Sequence, residues 1–233
     1  MSGDIAKFNA AQAALDYVKD GMVVGLGTGS TSAHFVRQLG ERVRQGLRVK
    51  GVPTSEATRN LAEQVGVPLL EISQVSSLDL DVDGADEVDP AFRLIKGGGG
   101  ALLREKIVAA ASKQMVVIAD ESKWVETLGE FPLPVEVTRF GFALVQQRVT
   151  EALRATGCAS HEVVLRVSGK ANEPVITDGG NYILDAHAKR IPDPEKLGAA
   201  LKDIAGVVEH GLFIGLSHVV IIGKAKGAEV KTL

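Results

Sequence analysis

Met22-Val23-Val24-Gly25-Leu26-Gly27-Thr28-Gly29-Ser30-Thr31 is the stretch that decides the fold. The apolar run Met22 to Leu26 is too short for a helix and reads as a buried strand. It breaks at once into glycines and hydroxyl residues. From about Ser30 a helix follows, with Phe35, Leu39 and Val43 on one stripe. A buried strand that turns through glycine into a helix opens a parallel α/β sheet.

The same alternation continues on both sides. Upstream, Ile5, Phe8, Ala11, Leu15 and Val18 recur at helical spacing between Asp4 and Asp20, and Gly21 stops that helix. Downstream, strands are expected at Arg48 to Val52, Pro68 to Ile72, Leu78 to Val82 and Met115 to Ala119. Helices are expected at Glu56 to Val65 and Ala101 to Ala111. Parallel strands joined by helices imply right-handed crossovers.

The pattern changes after Phe131-Pro132-Leu133-Pro134. Val135 to Thr138 reads as a strand, Phe142 to Ala155 as a helix, and His161 to Val167 as a strand. Glu173 to Thr177 and Tyr182 to Ala188 flank Asp178-Gly179-Gly180-Asn181, a hairpin signal. Glu195 to Ile204 supplies another helix. This run suggests a small α+β domain of ferredoxin-like type. Val207-Val208 and Val219 to Ile222 are expected to return to the first sheet. The expected fold is a Rossmann-like parallel-sheet domain, residues 1–131 plus 208–233, with an inserted small α+β domain, residues 132–207.

Hydrophobic residues make up 45% of the 233-residue chain and charged residues 24%, which excludes a disordered chain. Lys+Arg 26 against Asp+Glu 29 leaves a net charge of −3, so nothing steers the protein toward nucleic acid or an anionic membrane. No apolar run approaches the roughly 20 residues of a membrane span. The amino terminus lacks a signal-peptide layout, so a cytoplasmic protein is expected. A single cysteine, Cys158, forms neither an intrachain disulfide nor a thiolate cluster. His34, His161, His187, His210 and His218 show no metal-ligand spacing, and no metal site is expected.

Four segments carry chemistry. In Gly25–Thr31 the glycines admit close approach of a ligand, while helix-start N–H groups and hydroxyls can hold an anion. A dinucleotide site would need glycine where Ser30 stands and an acid after the second strand, which instead runs into Val52-Pro53-Thr54-Ser55. A plain tight turn capped by Ser30 is the alternative to a phosphate loop. In Asp81-Val82-Asp83-Gly84-Ala85-Asp86-Glu87-Val88-Asp89, Asp83 and Asp86 fall at the carboxyl end of a strand and can converge on one site. Their repulsion then needs a cation, a metal or a shared proton; a solvated acidic loop is the alternative.

The third segment is the sharpest. Lys96 precedes Gly97-Gly98-Gly99-Gly100 and a helix bearing Arg104, Glu105 and Lys106. Four glycines in a row cost heavily in backbone entropy, which a mere connector rarely bears. Their N–H groups can form an oxyanion cradle, with Glu105 behind it and Lys96 entering the same space. The alternative for Glu105 is an exposed helix acid paired with a neighbouring base. Lastly, Asp120-Glu121-Ser122-Lys123 ends the fifth parallel strand. There Lys123 can reach a phosphate or lie in solvent.

Taken together, GLGTGST, DVDGADEVD, KGGGGALLREKI and ADESK resemble, in order and spacing, the ribose-5-phosphate isomerase type A family. The later NEPVITDGGNYILD, Asn172–Asp185, is also similar to that family's small domain, and the resemblance covers essentially the whole chain. It implies an aldose–ketose isomerase interconverting ribose 5-phosphate and ribulose 5-phosphate through an enediolate, in the non-oxidative pentose phosphate pathway. Carried over by match, it implies Glu105 as the base moving a proton between C2 and C1. It likewise implies that Asp83 and Lys96 act at O1 and O2 and that Asp86 positions hydroxyls and opens the ring. Substrate would be lined by Thr28, Gly29, Ser30, Thr31, Asp83, Gly84, Ala85, Asp86, Lys96, Gly97, Gly98, Gly99 and Lys123, with Lys7 near a further phosphate contact. The resemblance implies no cofactor, no metal and a homodimer.

Two rivals use related sheets. A sugar-phosphate sensor would need a DNA-binding segment, which the charge balance does not suggest. An amino-sugar-phosphate deaminase would want a histidine near its acids, and none lies in Asp81–Lys106. A CoA transferase on a similar sheet is the other enzyme alternative.

Overall fold

A computed structural model of the chain describes residues 2–169 and 171–233. The chain divides into two units, Met1–Ala85 with Arg104–Trp124 and Gly215–Leu233, and Asp86–Leu103 with Val125–Ile214.

In the first unit, β1 (Val23–Leu26), β2 (Lys50–Pro53) and β3 (Leu80–Gly84) lie in the order β2-β1-β3, all parallel. Val24 to Leu26 of β1 and Leu80 to Asp83 of β3 are buried on both faces, as a helix-covered parallel sheet requires. Helices α1 (Ser2–Ala14), α2 (Ser30–Arg44) and α3 (Glu56–Val65) belong to this unit. Ser55 caps α3 by accepting the Thr58 N–H, and Gly66 ends it in the left-handed region at φ 80°. The chain goes from β1 out to β2 and returns past β1 to β3. The loops after β1 and β3 therefore flank a topological switch point, where open α/β sheets bind ligands.

The second unit contains β4 (Glu87–Val88) and β5 (Leu94–Ile95), an antiparallel pair. Helix α4 (Leu102–Ala110) then leads into β6 (Met115–Asp120), which extends the first sheet beside β3 in parallel. The second unit continues with β7 (Leu133–Val137), α5 (Phe142–Ala155), β8 (Glu162–Leu165), the short pair β9 (Val167–Ser168) and β10 (Glu173–Pro174), β11 (Tyr182–His187), α6 (Pro194–Lys202), β12 (Val207–His210) and β13 (Leu212–Phe213). Strands β12-β7-β11-β8 form an antiparallel sheet, and β13 joins β5 and β4. Val135, Val149, Leu153, Leu184, Leu197 and Leu201 fill its core. Finally β14 (Val219–Lys224) pairs parallel with β6, and β15 (Gly227–Thr232) pairs antiparallel with β14.

Several expectations are corrected. Val207-Val208 does not return to the first sheet: β12 lies antiparallel beside β7, with a bulge between Val207 and Glu209. Of the two expected segments, the second does return, as Val219–Lys224. The Pro68 to Ile72 strand reduces to a single bridge between Gly51 and Leu69. Glu173 to Thr177 forms only the short β10, although an Ile176–Tyr182 bridge closes the expected hairpin at Asp178–Asn181. The first helix buries Ala6, Ala10, Ala11 and Ala14 and leaves Ile5 50% and Phe8 43% exposed. It sits so close over β14 that a Cβ on Gly223 would meet the Ala6 carbonyl at 1.9 Å. Only small side chains fit that seam. The units also differ in extent from the sequence division: residues 86–103 group with the small sheet because β5 pairs with β13. No described helix is long and apolar enough to cross a membrane.

Candidate active site

The site residues predicted from sequence fall in both units, and each group is organised locally. In the first unit, Gly27 carries the chain across β3. A Cβ there would lie 2.0 Å from Asp83 Oδ1, so only glycine allows the approach. Asp83, fully buried, accepts through Oδ1 from the Thr28 N–H at 3.1 Å, the Ser32 hydroxyl at 3.1 Å and the Gly84 N–H at 2.6 Å. The phosphate-loop segment and the acidic segment are thus tied into one structure at the switch point.

Beneath the loop lies a cluster of hydroxyls. Thr28 Oγ1 is 2.8 Å from Thr54 Oγ1 and donates to Ser55 Oγ at 2.8 Å. Thr58 Oγ1 donates to the Gly27 carbonyl at 3.0 Å and lies 3.2 Å from Thr28 Oγ1. Thr54, Ser55 and Thr58 are all buried. Sequence reasoning noticed Val52-Pro53-Thr54-Ser55 only for its missing acid. Its hydroxyl content, together with the capping position of Ser55, was the available signal.

Ser30 and Thr31 open α2, with Gly29 at φ 114° as the residue before it; Ser30 is not the cap. Lys7 donates to Ser30 Oγ at 3.0 Å, which brings the further phosphate contact expected from the resemblance to the helix start. Lys123 ends a 3-10 turn after β6, capped by Asp120 accepting the Ser122 N–H.

Glu105 is 3% exposed in the first turn of α4, so it is not the exposed helix acid of the alternative reading. Its neighbour Arg104 turns instead to Glu56, 2.7 Å away, and that guanidinium holds the Glu56 carboxyl below its ordinary range.

In the second unit, Lys96 is 2% exposed, with its ammonium 5.5 Å from the centroid of the Phe213 ring. Gly97 at φ 107° and Gly100 at φ 80° turn the glycine run, closed by the Gly100 N–H on the Gly97 carbonyl at 3.0 Å. Gly98 and Gly99 lie at the surface. Asp86 Oδ2 accepts the Gly98 N–H at 2.7 Å. Asp83 and Asp86 therefore each have their own hydrogen-bond donors. One residue that sequence reasoning missed is Arg166, whose guanidinium donates to the Gly97 and Gly98 carbonyls. No periodicity marks a side chain so far along the chain.

The family model of ribose 5-phosphate isomerase A (phosphoriboisomerase A) matches residues 50–227. The chain belongs to that family. The ribose-5-phosphate isomerase A of Maricaulis maris (strain MCS10) is 56% identical over 224 residues, 96% of each chain. That of Nitrobacter hamburgensis (strain DSM 10229 / NCIMB 13809 / X14) is 57% identical over 230 residues, 99% of this chain and 98% of its own. Among solved structures, ribose 5-phosphate isomerase A from Methanocaldococcus jannaschii matches with a TM-score of 0.88 at 42% identity, covering 98% of both chains. A D-ribose-5-phosphate isomerase in complex with phospho-erythronic acid matches with a TM-score of 0.91 at 38% identity, covering 100% of both. As a member of the ribose 5-phosphate isomerase A family, this chain is an isomerase that interconverts ribose 5-phosphate and ribulose 5-phosphate.

Proposed function

We propose that the interconversion runs through an enediolate with Glu105 as the base. The carboxylate takes the proton from C2, the C2–H electron pair forms the C1–C2 double bond, and O1 becomes the oxyanion and is protonated. O2 then loses its proton, and Glu105 returns its own proton to C1, leaving the carbonyl at C2. One proton moves between carbons and one between oxygens, so no redox cofactor is needed. The burial of Glu105 in the first helical turn is the observation that carries this reading. A water-shielded carboxylate can take a proton and give the same one back.

A proton beside a carbonyl is weakly acidic, so the oxyanion needs stabilisation. Lys96 and the glycine N–H groups supply it in this reading, with Asp83 exchanging protons at O1 and O2. Asp86 positions the sugar hydroxyls and opens the ring. Thr28, Gly29, Ser30 and Thr31 at the start of α2, with Lys7 and Lys123, offer N–H groups, hydroxyls and charge for the phosphate. Gly84, Ala85, Gly97, Gly98 and Gly99 complete the lining. The complex of a relative with phospho-erythronic acid supports a sugar-phosphate ligand for this chain too.

We take the segment that the sequence division bounds at 132–207, carried on through β12 to His210, as an inserted domain of ferredoxin-like type. The order strand–helix–strand–strand–helix–strand and the sheet order β12-β7-β11-β8 support that assignment. A cytoplasmic homodimer goes with the same reading, and sedimentation equilibrium checks the dimer.

The test follows ribulose 5-phosphate formation from ribose 5-phosphate for the wild type and Glu105→Gln, both with EDTA. The expected outcome is activity in the first and a fall of about 10²–10⁴ in the second. Near-normal turnover by Glu105→Gln removes it as the base, and loss of wild-type activity in EDTA overturns the metal-free reading.

A further inference from the structure

Arg166 lies between β8 and β9 with its backbone fixed on both sides. Its N–H donates to the Ile183 carbonyl at 2.8 Å, and its own carbonyl accepts the Val175 N–H at 2.9 Å. Its side chain is largely buried, 15% exposed, as is that of Asp185, 17% exposed. The carboxylate of Asp185 takes one edge of the guanidinium: Nε donates to Oδ2 at 2.8 Å and Nη2 to Oδ1 at 2.5 Å. The remaining Nη1 reaches the glycine run and donates to the Gly97 carbonyl at 2.9 Å and the Gly98 carbonyl at 3.2 Å. A fork held on one side by a carboxylate thus grips two consecutive carbonyls on the other.

The consequence follows from peptide geometry. In a planar trans peptide the C=O and N–H point in opposite directions. With the Gly98 carbonyl turned to the guanidinium, the N–H of Gly99 points away from it. The plane before it is pinned at both ends, its carbonyl on Arg166 and the Gly98 N–H on Asp86. Glycine peptides otherwise flip readily, and a cradle whose donors reorient during the reaction stabilises an oxyanion poorly.

We propose that Arg166, oriented by Asp185, is a positioning residue for the isomerisation: it fixes the peptide planes of the glycine cradle so that the Gly99 N–H faces the developing oxyanion. This rests on the reading of Lys96 and the glycine N–H groups as the oxyanion site. Because Asp185 balances its charge, Arg166 acts through geometry. A lysine, a single point charge on a flexible stem, cannot hold both carbonyls and the carboxylate together.

The test uses Arg166→Lys and the double variant Arg166→Met with Asp185→Leu, which removes both charges and leaves neither buried alone. Measured are kcat and KM for ribose 5-phosphate, the affinities for phospho-erythronic acid and inorganic phosphate, and the melting midpoint. The expected result is a fall in kcat on the order of 10²-fold, the usual effect of a 1 Å misplacement. KM and inorganic phosphate affinity stay near wild type, while phospho-erythronic acid binds more weakly. Wild-type kcat and phospho-erythronic acid affinity in both variants overturn the proposal. So does a common fall of kcat, both affinities and the melting midpoint, which marks a merely structural pair. Lys96→Ala is run alongside: wild-type turnover there sinks the oxyanion reading itself, whatever Arg166 does.

Discussion

Asp83 Oδ1 accepts the backbone N–H of Thr28 at 3.1 Å, joining the loop after β1 to strand β3 across 55 residues of sequence. The carboxylate takes this bond together with those from Ser32 and Gly84, so it acts as the fixed point from which the loop after β1 hangs. Below the loop, the hydroxyls of Thr54, Ser55 and Thr58 complete the mount.

The mount makes Thr58 a residue whose hydroxyl matters more than its bulk. Thr58→Val keeps the shape but leaves the buried Gly27 carbonyl without that donor, at a cost of about 1–3 kcal/mol. Thr58→Ser keeps the hydroxyl. Thermal denaturation should show the valine variant clearly less stable, and kinetics should show a higher KM for ribose 5-phosphate in it alone. Indistinguishable valine and serine variants would remove the hydroxyl from the account.

Gly27→Ala places a methyl 2.0 Å from Asp83 Oδ1 and 2.6 Å from the Asp83 Cα, so backbone must move. We expect a loss of about 1–3 kcal/mol from overpacking. Displacement of the loop should lower turnover by on the order of 10²-fold. Gly3→Ala, where nothing lies within 4 Å, serves as the neutral control. Chemical denaturation and steady-state rates of the two variants check both statements.

A pH effect is expected at the carboxyl-terminal hairpin. Hydrogen bonds from Lys224, then Lys231, lower the Glu229 carboxyl from 4.5 to about 2. A carboxyl depressed by folding stabilises the folded state above its unfolded pKa and ceases to do so as pH falls through the folded value. The stability difference between wild type and Glu229→Gln should therefore be full at neutral pH and shrink between about pH 4.5 and 2. Melting midpoints of the pair across that range measure it. The effect is small, since the ion pairs are partly exposed, and it should weaken with added salt. A constant difference across the range would exclude Glu229.

The parallel sheet was legible because β1, β6 and β14 carry short apolar runs, and the helices between the strands keep a helical stripe. The glycine-rich and acidic segments were legible because few other uses explain their composition. Of the stripe expected on the first helix, Ala11 and Leu15 are buried but Ile5 and Phe8 are exposed, since periodicity weights them above alanine while the close seam over Gly223 admits only small side chains. Val207-Val208 lies in the small sheet instead of the first because two adjacent valines carry no information about their partner strand.

From its sequence alone, this protein's order of elements, its family resemblance and the candidate roles of Glu105, Lys96, Asp83 and Asp86 could be read. Those depend on residue type and on spacing along the chain. The tertiary structure alone decided which donors meet which acceptors: Thr28 on Asp83, the three hydroxyls under Gly27, and Arg166 on the Gly97 and Gly98 carbonyls. Each joins atoms far apart in sequence, and such pairings are set by strand register and packing, which local pattern does not encode.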